Sequence, residues 1–170
     1  GRRSQIFELW IRPVATHQAH FALRLALHEL GRLITGGLTE AEFQRTRNFL
    51  TKYSRLLLAT KQAELGYAID SSYFAIPPYP QYLLESLGGL TADDVYAAVR
   101  RHLRCDRLIV AAVGQGMDDF AHRLASDAPS PITYTSEKPA ATLAEDAVVA
   151  ARLLNLNSSA IRIVPVSEVF

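Results

Sequence analysis

Five histidines and one cysteine are the residues of this chain most able to do chemistry. His17 and His20 are three apart, and His28 lies two turns beyond His20. Zinc needs three protein ligands in register and an orienting set of partners behind them. His17-Gln18-Ala19-His20 lacks the acid that would activate a water, and neither His-Glu-x-x-His nor His-x-x-Glu-His occurs. These histidines fit polar positions near the start of an amphipathic helix better than a metal site. Cys105 lies in Leu103-Arg104-Cys105-Asp106-Arg107, where arginines favour a thiolate, but no base stands near it in sequence. Gly114-Gln115-Gly116 lacks the third glycine of a dinucleotide loop. No Gly-x-Ser-x-Gly elbow or phosphate-loop Gly-Lys-Ser/Thr is present. The chain therefore carries no catalytic, cofactor-binding or metal constellation of its own.

Two further groups suit surfaces. Arg45, Arg47, Lys52, Arg55 and Lys61 would meet phosphates if they shared a face, but a solvated helix face is the simpler reading. Tyr67, Tyr73, Phe74, Tyr79 and Tyr82 crowd around three prolines, as a packed loop or a peptide-contacting surface would. With 18 basic and 17 acidic residues the net charge is +1, which excludes a dedicated nucleic-acid binder. One cysteine permits no internal disulfide, and no apolar run is long enough to span a membrane. The chain begins Gly1-Arg2-Arg3 and its sole methionine is Met117, which predicts a piece of a longer protein or a processed product.

The elements that must position these residues read as follows. Residues 6–11 (Ile-Phe-Glu-Leu-Trp-Ile) have strand composition and stop at Pro13. From Thr16 the period turns helical, with Leu23, Leu27, Leu30 and Ile34 as the apolar stripe and Ala19, Ala22 and Ala26 as a narrower one. Gly36-Gly37 closes this helix in a left-handed conformation. Thr39 and Glu42 form a capping box for the next helix, which Phe43, Leu50, Tyr53 and Leu57 carry to about residue 58. A third helix spans 61–74 and ends before Pro77, Pro78 and Pro80; a short one covers 82–87. A second Gly-Gly-Leu-Thr follows at 88–91, with Asp94 in the place of Glu42, and Val95, Val99 and Leu103 extend that helix. Residues 107–113 suit a strand buried on both faces, followed by a short helix capped by Asp118. Short strands at 132–134 and 161–166 flank a helix at 143–154. With 49% hydrophobic residues the chain can bury a sizeable core, and the expected class is α+β: a two-layer α/β sandwich in which long helices cover an antiparallel or mixed sheet.

The order of these pieces is informative. Phe7-Glu-Leu-Trp-Ile-Arg-Pro-Val14, an alanine- and leucine-rich helix, Gly36-Gly-Leu-Thr-Glu-Ala-Glu-Phe43, Leu65-Gly-Tyr-Ala-Ile-Asp70, Leu90-Thr-Ala-Asp-Asp-Val95 and Leu108-Ile-Val-Ala-Ala-Val-Gly114 together resemble the insulinase (pitrilysin) family of zinc peptidases. The resemblance covers roughly residues 5–125. It implies the sandwich fold of the mitochondrial-processing-peptidase type, with residues 1–126 as the latter part of the C-terminal α/β domain and 127–170 as a C-terminal extension. It implies that zinc and the His-x-x-Glu-His motif belong to the N-terminal half of a parent protein. This piece would then be metal-free and inactive alone, completing a chamber and contacting peptide or unfolded polypeptide. Its expected partners are the catalytic half or subunit and a second copy, with no nucleic acid and no membrane span. The compartment is left open by the sequence; a soluble protein of bacterial cytoplasm or periplasm is compatible with it. The alternative is a non-peptidase scaffold or interaction module of the same fold in a larger complex.

Overall fold

The computed structural model describes residues 6–168, and among them the regular structure is helical throughout. After a 3-10 turn at Thr16–Gln18 come α1 (Ala19–Gly36), α2 (Glu40–Tyr53), α3 (Lys61–Phe74), α4 (Tyr79–Gly89), α5 (Ala92–His102), α6 (Met117–Ser126) and α7 (Ala140–Ala151). The expected α+β sandwich is therefore corrected: no strand forms among the described residues. The segments at 6–11, 107–113, 132–134 and 161–165 are non-helical, Val166 opens a 3-10 turn, and no backbone hydrogen bond pairs any of these segments in a ladder. Strand composition describes a residue's fit to a pleated, half-buried surface, and a strand exists only when a neighbour supplies that surface. The run expected to be buried on both faces is open to solvent, with Ile109 99% and Val113 97% exposed.

The helix signals fare better. α1 ends at Gly36, and Gly37 takes the left-handed conformation at φ 69°. At the next corner the Thr39 side chain accepts from Glu42 N at 3.2 Å, while Thr39 N donates to Glu42 Oε2 at 2.8 Å. Thr91 and Asp94 repeat that box at 3.2 and 2.9 Å. α2 stops at Tyr53 and gives way to a 3-10 turn at Ser54–Leu56, short of the expected 58. α4 begins earlier than expected, at Tyr79, because Pro80 sits in the first turn where its missing N–H costs nothing. The cap of α6 is Gly116 at φ 67°, and Asp118 falls one residue inside the helix.

The chain divides into two compact units. One comprises residues 1–32 and 104–170; the other is the continuous segment 33–103. In the first, Leu23 of α1 packs with Phe120 and Leu124 of α6, and Ala19, Leu27, Met117, Leu154 and Ile161 close around them. Burying each of the three large side chains contributes about 1.5–3 kcal/mol. Leu23 and Leu27 of the leucine stripe and Ala19 of the alanine stripe thus face this core. In the second, α2 and α4 pack on the 3-10 turn at Ser54–Leu56 and α3 packs on α4. Tyr67 stacks on Tyr79 with ring centroids 4.9 Å apart, and Ser71 ties the two helices by donating to Tyr67 O at 2.7 Å and accepting from Tyr79 N at 3.0 Å.

Candidate functional site

The first unit holds both an unusual buried polar cluster and an open apolar cleft. Arg24 lies on α1 among the core leucines and is 0% exposed. Its Nη1 donates to Ala128 O at 2.8 Å, Ala150 O at 2.8 Å and Ser130 Oγ at 3.0 Å. Its Nη2 donates to Asp127 O and Oδ1, each at 3.1 Å. Asp127 stands at the C-terminal end of α6 with φ 50°. Its carboxylate also accepts from Leu154 N at 2.9 Å and Asn155 N at 2.7 Å. Burial alone would raise the Asp127 pKa, but those two backbone donors and Arg24 together hold it below the ordinary carboxylate value. One arginine and one aspartate therefore join α1, the end of α6 and the segment after α7.

His20 sits one turn before Arg24 and is 2% exposed, edge-on to the Phe120 ring at 6.4 Å. Neither ring nitrogen has a hydrogen-bond partner. Burial, reinforced by the Arg24 charge, pushes its pKa down, so the ring is kept neutral. Nucleophile, second base and substrate access are all lacking around it; the cluster fixes structure.

The cleft, of about 540 Å3, lies between residues 6–11 and 107–111 and is floored by Leu23, Ala26 and Leu27 of α1. Its two walls are the apolar segments expected as strands. Trp10, 85% exposed and lining the cleft, donates through Nε1 to Glu8 Oε2 at 2.8 Å. Chemically the cleft offers apolar surface and unpaired peptide groups, and no acid, base or nucleophile lines it apart from Glu8 and Arg107.

The other singled-out residues remain dispersed. His17 is exposed in the 3-10 turn and His20 is enclosed, so the two share no site. Cys105 is a free, exposed thiol. The basic set is mostly solvated: Lys61 pairs with Glu64 at 2.8 Å, and Arg47 lies over the Phe43 ring at 5.2 Å. The aromatic set splits, with Tyr67 and Tyr79 stacked together and Tyr73, Phe74 and Tyr82 exposed. Arg24 and Asp127 were not singled out in the sequence. The available signal was an arginine embedded between Leu23 and Leu27 in an apolar stripe. No helix among the described residues is long and apolar enough to cross a membrane. No family model, curated protein or solved structure matches the chain.

Proposed function

We propose that this chain is a non-catalytic module that binds polypeptide, as the part of an insulinase-like zinc endopeptidase that lacks the catalytic metal motif. Zinc-dependent hydrolysis would belong to a half carrying His-x-x-Glu-His, and the chain would contribute contact surface for extended peptide. The observation that carries the binding role is the cleft: two apolar, non-helical walls with unpaired backbone around about 540 Å3 of space. An extended peptide supplies the backbone partners the walls lack and apolar side chains that their own would cover. The attribution to that peptidase family rests on the order of sequence motifs; the fold the resemblance implied is not the one observed.

The test uses Trp10, the only tryptophan, which stands on a wall of the cleft. Titration with a reduced, carboxymethylated polypeptide is expected to shift its emission saturably to the blue, with no peptide cleaved when zinc is added. An emission spectrum indifferent to polypeptide would overturn the binding role, and zinc-dependent cleavage that survives removal of contaminating proteases would overturn the non-catalytic one.

A specific observation favours a second reading, an interaction module in a larger complex. Leu65, Ile69 and Tyr73 lie four apart along α3 and are all exposed, forming an apolar stripe open to solvent, with only the neighbouring Phe74 ring against Tyr73. Substituting the stripe with serine would leave polypeptide binding at the cleft intact and abolish assembly if this second reading holds.

A further inference from the structure

Three side chains in the first unit converge without belonging to the cleft or the Arg24 cluster. His28 and Glu29 come from α1 and Glu145 comes from α7. One ligand atom from each, an imidazole nitrogen and two carboxylate oxygens, lies within 4.8 Å of the others. Their convergence follows from the Arg24 anchor. The Arg24 bond to Ala150 O holds α7 against α1; one turn further along α1 is His28, and just over one turn back along α7 is Glu145. The residues therefore meet at a register that a buried arginine enforces.

The charges at this point do not cancel among themselves. Glu29 Oε2 accepts from Arg32 Nε at 3.1 Å and Nη2 at 2.9 Å, so one guanidinium answers one carboxylate from the side. Glu145 has no ion pair or hydrogen bond among the described residues, and neither has the His28 ring. Two carboxylates under 5 Å apart repel, and a cation between them reverses the sign of that interaction.

We propose that His28, Glu29 and Glu145 bind a divalent transition-metal ion of the zinc class, which fastens α7 to α1. One imidazole with two carboxylates is a set that zinc accepts, leaving a fourth position for solvent. Magnesium and calcium call for six or more oxygen ligands, which three side chains including an imidazole do not supply. Zinc bonds to nitrogen and oxygen of about 2.0–2.2 Å require tetrahedral ligand atoms roughly 3.3 Å apart. Glu145 is exposed and Glu29 partly so, and rotation of these long side chains closes the difference. The site is a cross-link between helices. It is independent of the proposed polypeptide binding, and either can fail alone.

The experiment is calorimetric titration of the full chain, stripped with chelator, with zinc chloride, alongside thermal unfolding with zinc, with magnesium and with chelator. Expected are one-to-one zinc binding and a rise in Tm with zinc that magnesium does not give. H28Q and E145Q should each weaken zinc about tenfold or more and abolish the Tm rise, while H102Q, altered elsewhere, binds as the parent does. Absence of a saturable one-to-one step, or equal affinity in E145Q and parent, would overturn the proposal. Because Glu145 is exposed, E145Q decides the matter even if H28Q proves less stable in chelator.

Discussion

Arg24 and Thr39 solve the same problem at opposite ranges. Each gives buried or terminal backbone groups a polar partner. Arg24 does so across separations of 103 to 126 residues, capturing carbonyls from three points late in the chain. Thr39 and Glu42 do so across three residues, at the rim of one helix. The local device stabilises a helix end and little else, and water replaces it when it is lost. The long-range device is sealed from water, so nothing replaces it. The difference teaches that the cost of losing a polar contact follows from what surrounds the groups left behind.

Arg24→Met breaks the comparison at its expensive end. It leaves the carbonyl of Ala128 without its side-chain donor, leaves Ala150 O with only the Ser130 N–H, and removes a buried charge from Asp127, at a cost of about 3–5 kcal/mol. Urea denaturation reads it as a large fall in the midpoint; an unchanged midpoint would show that the cluster is ornamental. The same cluster responds to acid without any mutation. The His20 pKa is pushed below its ordinary 6.5, so below that pH the unfolded chain takes up a proton that the folded chain refuses, and stability falls. Asp127, depressed from 3.8, adds stability that is present above that value and disappears as pH falls through its lower folded value. Stability measured from pH 8 to pH 3 should therefore begin to decline near 6.5 and decline again in the carboxylate range. In H20Q the first decline should vanish.

The two Gly-Gly-Leu-Thr corners sharpen the comparison further, since they differ only in what the fold asks of them. A Cβ at Gly37 would lie 2.9 Å from the Tyr96 ring, which is held there by its hydroxyl donating to Thr35 O at 2.7 Å. Gly37→Ala also forces alanine into the left-handed region, so a loss of about 2 kcal/mol is expected. Thr39→Ala removes the cap and should cost about 1 kcal/mol. Gly89 is the sequence equivalent of Gly37, yet it is helical, without a positive φ, and a Cβ there meets open space. Gly89→Ala should therefore be neutral or gain about 0.5 kcal/mol. Thermal unfolding of the three variants ranks them, and equal losses at the two glycines would sink this reading of the corners.

What could be read from the sequence follows the same division. The ends of α2 and α7 fall short of the expected 58 and 154, but the two capping boxes and the stop of α1 at Gly36-Gly37 depend on residues within a turn or two, and they appear where expected. The strands do not, because Ile6 or Ile109 carries only a preference, and pairing is decided by segments elsewhere. Arg24 looked like any helical arginine; its role required knowing that residues 127–130 and 150 arrive beside it. Asp127 read only as the first residue of the C-terminal extension for the same reason. The cleft was equally hidden, since its walls were expected to be paired with each other or with neighbours.

The division of the chain into a continuous unit, 33–103, and one assembled from 1–32 and 104–170 has a consequence in time. A nascent chain emerges from its first residue, so α1 is made long before its partners Asp127, Ser130 and Ala150 exist. The continuous unit has every contact it needs by residue 103 and can close while synthesis proceeds. The other pays loop-closure entropy over a hundred residues before its arginine finds a carbonyl, which places it last in the order of folding. Pulsed hydrogen exchange during refolding should protect α2 to α5 before α6 and α7, and the reverse order would contradict this sequence of events.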